Sequence, residues 1–250
     1  MRHEAALRNT DSCILVSEVD LSVNPWIIKA RSFARKTGVI GLINRLRPSG
    51  SYEQRAHEAL IRAVKPGDVV WDVGANVGVY SELFCQWVGE DGLVVAFEPW
   101  AESCERIRER VQDCAWLQVE NIALGEADAN GRLVIGAESV ENHIETEVYA
   151  PNGTAATIPV VICRGDTVRN RLGRTPNVIK VDVEGFEEEV LGGMGELLTS
   201  STLRSVLVEV HFLKLEERGK IMAPNRIQTL LDGKGFRTRW IDGSHLYATR

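Results

Sequence analysis

Residues 69–81 read VVWDVGANVGVYS, and this stretch decides the fold. An apolar strand pattern is followed by a turn with glycine at positions 74 and 78, and the turn opens into a helix pattern. This is the layout that cradles a nucleotide-like ligand in doubly wound α/β proteins. The dinucleotide fingerprint G-x-G-x-x-G would need glycine where Asn76 and Val79 stand, so close backbone approach to a pyrophosphate is not provided. The sequence therefore predicts a cofactor without phosphates.

Two acidic residues end the first two predicted strands. Asp72 is placed to offer a carboxylate to a cationic amine, and Glu98 is placed to accept hydrogen bonds from a ribose diol. Glu98 follows Gly74 at about the 20-residue offset expected of a ribose-binding acid. S-adenosylmethionine has an amino-acid end, a ribose and an adenine but no phosphate, so it fits this pattern. The structural alternative, a tight glycine turn beside a solvated strand end, stays open.

Strand and helix patterns alternate over 51–250, which predicts one α/β domain built from βαβ units. Short strand-like pieces separated by Gly, Asn and Pro predict an antiparallel excursion around 131–163. We expect a helix over 187–199 and a charged connector over 213–221. Asp242-Gly243 between two strand patterns predicts a hairpin, so the mostly parallel sheet closes with an antiparallel C-terminal strand.

Residues 178–185 read VIKVDVEG, an apolar strand in which every second residue is ionisable. Because side chains alternate across a strand, Lys180, Asp182 and Glu184 are predicted to share one face. Ligands bind at the carboxyl ends of strands in open α/β sheets, which is where Glu184 would lie. A salt-bridge network inside the sheet is the alternative, and Lys180 is predicted to pair with a carboxylate. A second ionisable strand, residues 207–211, favours a functional site.

With these motifs the chain resembles the FkbM family of S-adenosylmethionine-dependent methyltransferases. The resemblance covers about 52–209 and rests on WDVGANVGVY (71–80), FEP (97–99), NIALG (121–125), IKVDVEGFE (179–187) and VEVH (208–211). It implies a Rossmann-like class I methyltransferase fold with a mostly parallel seven-stranded sheet. It also implies O-methylation of a hydroxyl on a small-molecule acceptor such as a sugar, a glycolipid or a secondary metabolite.

Carried over position by position, the resemblance implies two groups of site residues. The cofactor would be bound by Asp72, Gly74, Ala75, Asn76, Gly78, Glu98, Pro99, Asn121, Ala123 and Asp182, with Asn121 and Ala123 flanking the adenine. The acceptor side would be lined by Asp182, Glu184, Glu209 and His211.

Methyl transfer from a sulfonium is an in-line displacement, so orientation is expected to supply most of the acceleration, about 7–11 kcal/mol. A hydroxyl acceptor also profits from a base, worth roughly 3–5 kcal/mol. His211 is the first candidate because histidine titrates near neutral pH, followed by Glu184 and Asp182. In a variant, Asp182, Glu209 and His211 hold a divalent cation that lowers the pKa of the acceptor hydroxyl. N-methylation on the same fold also stays open.

Bulk properties limit the partners and the location. The net charge is -6, with 26% charged and 44% hydrophobic residues, so the sequence predicts no attraction to nucleic acid. Five scattered cysteines without metal-ligand spacing predict reduced thiols and a cytoplasmic location. No apolar run approaches the roughly 20 residues of a transmembrane helix.

Two other classes of protein remain as alternatives. An NAD-dependent oxidoreductase would need the glycines that positions 76 and 79 lack. A non-catalytic Rossmann-like binding protein would not need the acidic residues that the acceptor side retains.

Residues 1–50 fall outside the resemblance and are predicted to form an N-terminal extension. Residues 25–50 contain six Lys or Arg and no acid, interleaved with apolar residues. This pattern predicts a lid, a dimerisation helix of a homodimer or a peripheral membrane contact. The extension is expected to help set acceptor choice.

Overall fold

The computed structural model describes residues 50–134, 143–145 and 157–250. Apart from Gly50, the predicted N-terminal extension lies outside these residues, as do parts of the predicted excursion. The strands are β1 (Val69–Val73), β2 (Leu93–Phe97), β3 (Leu117–Glu120), β4 (Ala123–Gly125), β5 (Ala129–Val134), β6 (His143–Glu145), β7 (Thr157–Arg164), β8 (Val178–Val181), β9 (Ser205–Glu209), β10 (Arg237–Trp240) and β11 (His245–Thr249). The α-helices are α1 (Gly50–Ala63), α2 (Val79–Val88), α3 (Ala101–Arg110), α4 (Gly165–Leu172), α5 (Glu187–Gly192), α6 (Phe212–Glu217) and α7 (Ala223–Gly233).

The main sheet has seven strands in the order β10-β11-β9-β8-β1-β2-β3. The five strands β9, β8, β1, β2 and β3 are all parallel to their neighbours in this group. β11 runs antiparallel to both β9 and β10. The predicted mostly parallel sheet with an antiparallel C-terminal strand is therefore confirmed. The chain leaves β1 toward β2 on one side and returns to β8 on the other. The carboxyl ends of β1 and β8 thus flank a topological switch point, where open α/β sheets bind ligands.

A second sheet of four strands, ordered β4-β7-β5-β6, accounts for the predicted antiparallel excursion. β5 is antiparallel to both β6 and β7, and β4 is parallel to β7. Phe186, which follows the carboxyl end of β8, packs with Ala123, Leu133 and Ile162 of this sheet. The excursion therefore lies beside the site end of the main sheet.

Alternate residues of β1 face two separate cores, which is why its sequence is apolar almost throughout. Trp71 and Val73 pack in one core and Val70 in the other. The first core is covered by α5 and α7 through Val190, Leu191, Ile227 and Leu231, and the second by α1 and α2 through Leu60, Phe84 and Val88. None of the helices in the described ranges combines the length and apolarity that crossing a membrane requires.

The ionisable strand ends earlier than predicted. β8 stops at Val181, and the amide of Asp182 still donates to the carbonyl of Val73 at 2.9 Å. Glu184 and Gly185 then adopt positive φ angles of 51° and 93° and turn the chain. The prediction that Glu184 lies on the strand face is therefore wrong, because it occupies the turn beyond the strand.

Two further helix predictions need correction. The helix expected over 187–199 ends at Gly192, and only a 3-10 turn at Leu197–Thr199 follows. The chain packs closely just after the helix ends, since a Cβ atom on Gly193 would lie 1.9 Å from the carbonyl oxygen of Gly125. The connector expected over 213–221 contains the short helix α6.

We expect Gly74→Ala to destabilise the protein by about 2 kcal/mol more than Gly173→Ala. Both glycines have positive φ, 78° and 65°, so both substitutions carry the cost of a left-handed backbone. A Cβ atom on Gly74 would also lie 1.8 Å from the carbonyl oxygen of Asp182, whereas nothing lies within 4 Å of one on Gly173. Urea denaturation of both variants measures the difference, and equal losses would show that the loop tolerates displacement from β8.

Candidate functional site

The glycine loop between β1 and α2 is held tightly against its neighbours. The amides of Gly74 and Ala75 donate to the carbonyl of Phe97 at 3.0 and 3.1 Å. The lack of a side chain at Gly74 lets the loop approach the carbonyl of Asp182, beyond β8. Gly78 opens α2 with a φ of 81°. The loop is therefore tied to the ends of both strands that flank β1.

Glu98 lies at the end of β2 and organises the adjoining loops. Its Oε2 accepts from the amide of Asn76 and its Oε1 from the amide of Trp100, both at 2.9 Å. Burial raises the pKa of Glu98 to about 7, although these two amides act in the opposite direction. Asn121 donates to the carbonyls of Glu98 and Pro99 at 3.0 and 2.9 Å. Each carboxylate oxygen has two lone-pair directions, so each retains one for a ribose hydroxyl.

Asp72 lies beneath the loop rather than facing a ligand. Its carboxylate is fully buried, and the hydroxyl of Ser81 donates to its Oδ2 at 2.7 Å. Burial raises the pKa of Asp72, while the charge of Lys180 and the Ser81 hydrogen bond oppose the rise. The predicted direct contact with a cationic amine does not match this burial. Ala123 is likewise buried, within the apolar cluster around Phe186.

Lys180 joins the two halves of the site. Its Nζ lies 3.0 Å from Asp182 Oδ2 and 3.8 Å from Asp72 Oδ1, and 4.9 Å from the centre of the Tyr80 ring. Burial works to lower the pKa of Lys180, but the charges of Asp182 and Asp72 outweigh it and raise the pKa. The predicted pairing of Lys180 with a carboxylate is confirmed. The ammonium group is a charged bridge between the cofactor loop and the end of β8.

His211 is surrounded by three carboxylates. Its Nδ1 lies 2.7 Å from Oε1 of the fully buried Glu187, and its Nε2 lies 3.7 Å from Asp182 Oδ1 and 3.5 Å from Glu184 Oε1. Burial works to lower the pKa of His211, but the Glu187 hydrogen bond and the three negative charges raise it to about 9. His211 therefore carries a proton at neutral pH. This state does not fit the predicted role as the first-choice general base.

The two other base candidates have different environments. Burial works to raise the pKa of Asp182, but Lys180 and His211 lower it. Burial raises the pKa of Glu184, with His211 opposing the rise. Glu184 also has a φ of 51°, a conformation that costs a non-glycine residue energy and that clusters at functional sites. Glu184 is therefore the better proton acceptor of the two.

The same cluster has the composition of a cation site. Asp182, Glu184 and His211 each offer one ligand atom, and these atoms all lie within 4.8 Å of one another. Glu209, which the sequence placed in this set, instead pairs with His245, whose Nε2 lies 3.4 Å from Glu209 Oε2. The turn at Glu184 brings its carboxylate to the position expected for Glu209.

An open cleft of about 680 Å³ adjoins the cluster. Lys180, Asp182, Glu209 and His245 line it from the sheet, and His57 and Tyr80 are among the lining residues from α1 and α2. A cleft of this size accommodates a small polar molecule at the switch point.

Two residues of the site had no role assigned from the sequence. Glu187 is the first residue of α5 and comes three residues after Glu184. The spacing of the two acids in EGFE (184–187) was a signal that both could reach the same site. His245 comes directly after the hairpin turn and pairs with Glu209 across antiparallel strands. Its position at the cleft became visible only when the register of β9 and β11 was known.

Comparison with known proteins assigns the chain to a family. The methyltransferase FkbM domain matches residues 72–238. A curated relative, the hexuronic acid methyltransferase AglP of Haloferax volcanii, is 32% identical over 165 residues, which cover 64% of this chain and 62% of the relative. The matched part therefore spans less than two thirds of the relative.

Two solved structures share 14% and 12% sequence identity with the chain. A methyltransferase FkbM from Methylobacillus flagellatus has a TM-score of 0.48, covering 75% of this chain and 48% of its own. A precorrin-6y C5,15-methyltransferase from Geobacter metallireducens also has a TM-score of 0.48, covering 80% and 89% respectively. The strand order, with its glycine loop and acidic strand ends, defines a Rossmann-like class I methyltransferase fold. The chain belongs to the FkbM methyltransferase family.

In metal-free buffer we expect the His211 imidazole to titrate near pH 9, well above its ordinary pKa of 6.5. Glu187→Gln should lower this pKa, because it removes the charge that bonds Nδ1. The contribution of protonated His211 to the free energy of unfolding is fully present below pH 6.5. It is lost as the pH rises through about 9. NMR titration of the ring measures the pKa, with Glu109→Gln on the exposed surface of α3 as control. A wild-type midpoint near 6.5 would contradict the arrangement.

Proposed function

We propose that the protein transfers the methyl group of S-adenosylmethionine to a hydroxyl group of a sugar acid. The observation that carries the proposal is the Lys180 bridge, which joins Asp72, beneath the cofactor loop, to Asp182 of the acidic cluster. Donor and acceptor sites are thereby held at neighbouring strand ends, as an in-line displacement requires. The curated relative is named as a hexuronic acid methyltransferase, which supports a sugar acid as the acceptor.

The cofactor half of the site suits an adenosyl group without phosphates. Glu98 would accept the ribose hydroxyls, and the loop 74–78 would contact the amino-acid end. Asn121 would hold the chain at Glu98 and Pro99 in position beside the adenine. Asp72 would act from below, by anchoring Ser81 of α2 and Lys180 of β8.

On the acceptor side we assign Glu184 as the proton acceptor. Asp182 is paired with Lys180 at 3.0 Å, whereas Glu184 lies 3.5 Å from His211 and is influenced by the charge of Lys214 to a smaller extent. His211 in its protonated form would keep Asp182 ionised and limit the repulsion between the two carboxylates. The proton would leave the acceptor hydroxyl for Glu184 as the new carbon–oxygen bond forms.

A divalent cation is the second candidate for activating the acceptor. Asp182, Glu184 and His211 would hold it, and a bound cation would lower the pKa of the acceptor hydroxyl. Glu187 supports this alternative, because metal-binding histidines commonly bond a carboxylate through the other ring nitrogen. Methylation of an amine is the alternative reaction, and the transfer assay distinguishes it from methylation of a hydroxyl. The cytoplasmic location and the homodimer stay predictions from the sequence.

A transfer assay with labelled methyl donor should detect methylated glycosides of glucuronate or galacturonate. Glu184→Gln should lower kcat by about 10²–10⁴-fold, because it removes the base without changing the shape of the side chain. Its affinity for S-adenosylmethionine should stay unchanged. Glu105→Gln, an exposed change on α3, is the control.

The outcomes of this assay separate the alternatives. Full turnover by Glu184→Gln would reject Glu184 as the base. Loss of wild-type activity with a strong chelator, restored by a divalent cation, would favour the cation. Transfer to amines but to no sugar acid would reject the proposed acceptor class.

We expect the affinity for S-adenosylmethionine to fall as pH decreases from about 8 to about 6. The carboxylate form of Glu98 accepts ribose hydroxyls, and its pKa of about 7 means that acid converts it to the neutral form in this range. Glu98→Gln should bind the cofactor weakly and without this pH dependence. Calorimetry at a series of pH values measures it, and an identical pH dependence in the variant would assign the effect to another group.

A further inference from the structure

A second groove lies between α1 and the β10–β11 hairpin. Its volume is about 420 Å³, and the residues that line it include Arg55, Glu58, Arg62, Arg239, Ile241 and Tyr247. We call it the arginine groove. α1 contributes Gln54 and His57 to the active-site cleft, but Arg55, Glu58 and Arg62 to the arginine groove. The helix therefore separates the two cavities.

The arginine groove has the opposite charge to the rest of the molecule. Three arginines line it, and its single acid, Glu58, already pairs with Arg62 at 3.2 Å. The whole chain has a net charge of -6, and in the cleft the acids Asp182 and Glu209 are paired with Lys180 and His245. The arginine groove therefore has an excess of positive charge that the cleft lacks, and it attracts an anionic group more strongly.

The chemistry of the lining suits an acidic sugar. Arginine has a planar fork of N–H donors that bonds carboxylates in two places at once. Arg239 lies over the Tyr247 ring, 5.6 Å from its centre, so its plane is held beside an aromatic surface. Arg55 donates to the carbonyl of Ile241 at 3.1 Å and ties α1 to the hairpin. The arginine groove thus carries positive charge, and contacts with the hairpin hold Arg55 and Arg239 in place.

The two cavities lie on either side of α1. Gln54 and His57 of this helix line the cleft, and Arg55 and Glu58, the next residue in each case, line the arginine groove. A helix with its side chains is about 10–12 Å across. A short saccharide chain that crosses the helix covers that distance.

We propose that the arginine groove binds the carboxylate of a uronic acid residue in an oligosaccharide acceptor, while another sugar of the same acceptor enters the active-site cleft. This inference rests on the proposed function for the sugar in the cleft.

The test is the double variant Arg62→Gln/Arg239→Gln. Both residues are exposed and lie outside the proposed catalytic and cofactor sites. Arg108→Gln is the matched control, because Arg108 pairs with Glu105 on the surface of α3 as Arg62 pairs with Glu58 on α1. Unchanged affinity for S-adenosylmethionine reports that the double variant is folded.

Calorimetry with a galacturonate trisaccharide should show binding that weakens about tenfold or more in the double variant and not in the control. The KM for the trisaccharide should rise equally, with kcat and the KM for a uronate monosaccharide unchanged. The charge-keeping variant Arg62→Lys/Arg239→Lys should retain part of the affinity, since lysine keeps the charge but not the fork.

Three results would overturn the inference. The first is equal trisaccharide affinity in wild type and double variant. The second is equal loss with a neutral trisaccharide. The third is arginine-dependent binding to phosphatidylglycerol vesicles but not to the trisaccharide, which would make the groove a membrane contact. Trisaccharide binding can be measured without methyl transfer. Binding that depends on the arginines, with no methyl transfer, would reject the proposed function alone. Methyl transfer to the trisaccharide without arginine-dependent binding would reject the role of the arginine groove alone.

Discussion

The buried ammonium group of Lys180 is the constraint on which the site depends. It lies opposite Asp72 in the parallel pairing of β1 and β8, and it bonds Asp182 two residues further on. A charge buried at this depth is costly unless it is paired, and removing one partner of such a pair costs about 3–5 kcal/mol. Strand register and ion pairing therefore favour the same alignment. That alignment also brings the glycine loop into contact with the end of β8.

The environment of each carboxylate shifts its pKa in a different way. Asp182 is paired with Lys180, which lowers its pKa, whereas burial raises the pKa of Glu184 and brings that of Glu98 to about 7. Glu187 is fully buried and directs Nδ1 of His211. Separated pKa values within one site are the usual way in which similar groups divide acid, base and binding functions. Membership of the FkbM methyltransferase family and the separated pKa values of these carboxylates both support methyl transfer at this site.

The parts of the fold that follow local pattern were predicted from the sequence. The apolar run at 69–73 and the glycine turn after it identified β1 and the loop, and Asp242-Gly243 identified the hairpin. The errors have tertiary causes. The helix after Glu187 breaks where Gly193 meets the carbonyl of Gly125, and the turn at Gly185 is close enough to Lys214 that a Cβ there would lie 2.7 Å from it. Neither contact is visible in a local pattern.

The sequence by itself determined the Rossmann-like sheet, the cofactor loop and the set of acidic residues at the strand ends, because strand alternation and glycine turns are local properties of the chain. Only the tertiary structure decided which acids meet which bases. Glu209 pairs with His245, and Asp182 and Glu184 both approach Nε2 of His211. Glu187 lies at Nδ1 of His211 and stabilises its protonated form. Proton occupancy depends on burial and on charges that are near in space, and residues far apart in sequence supply them.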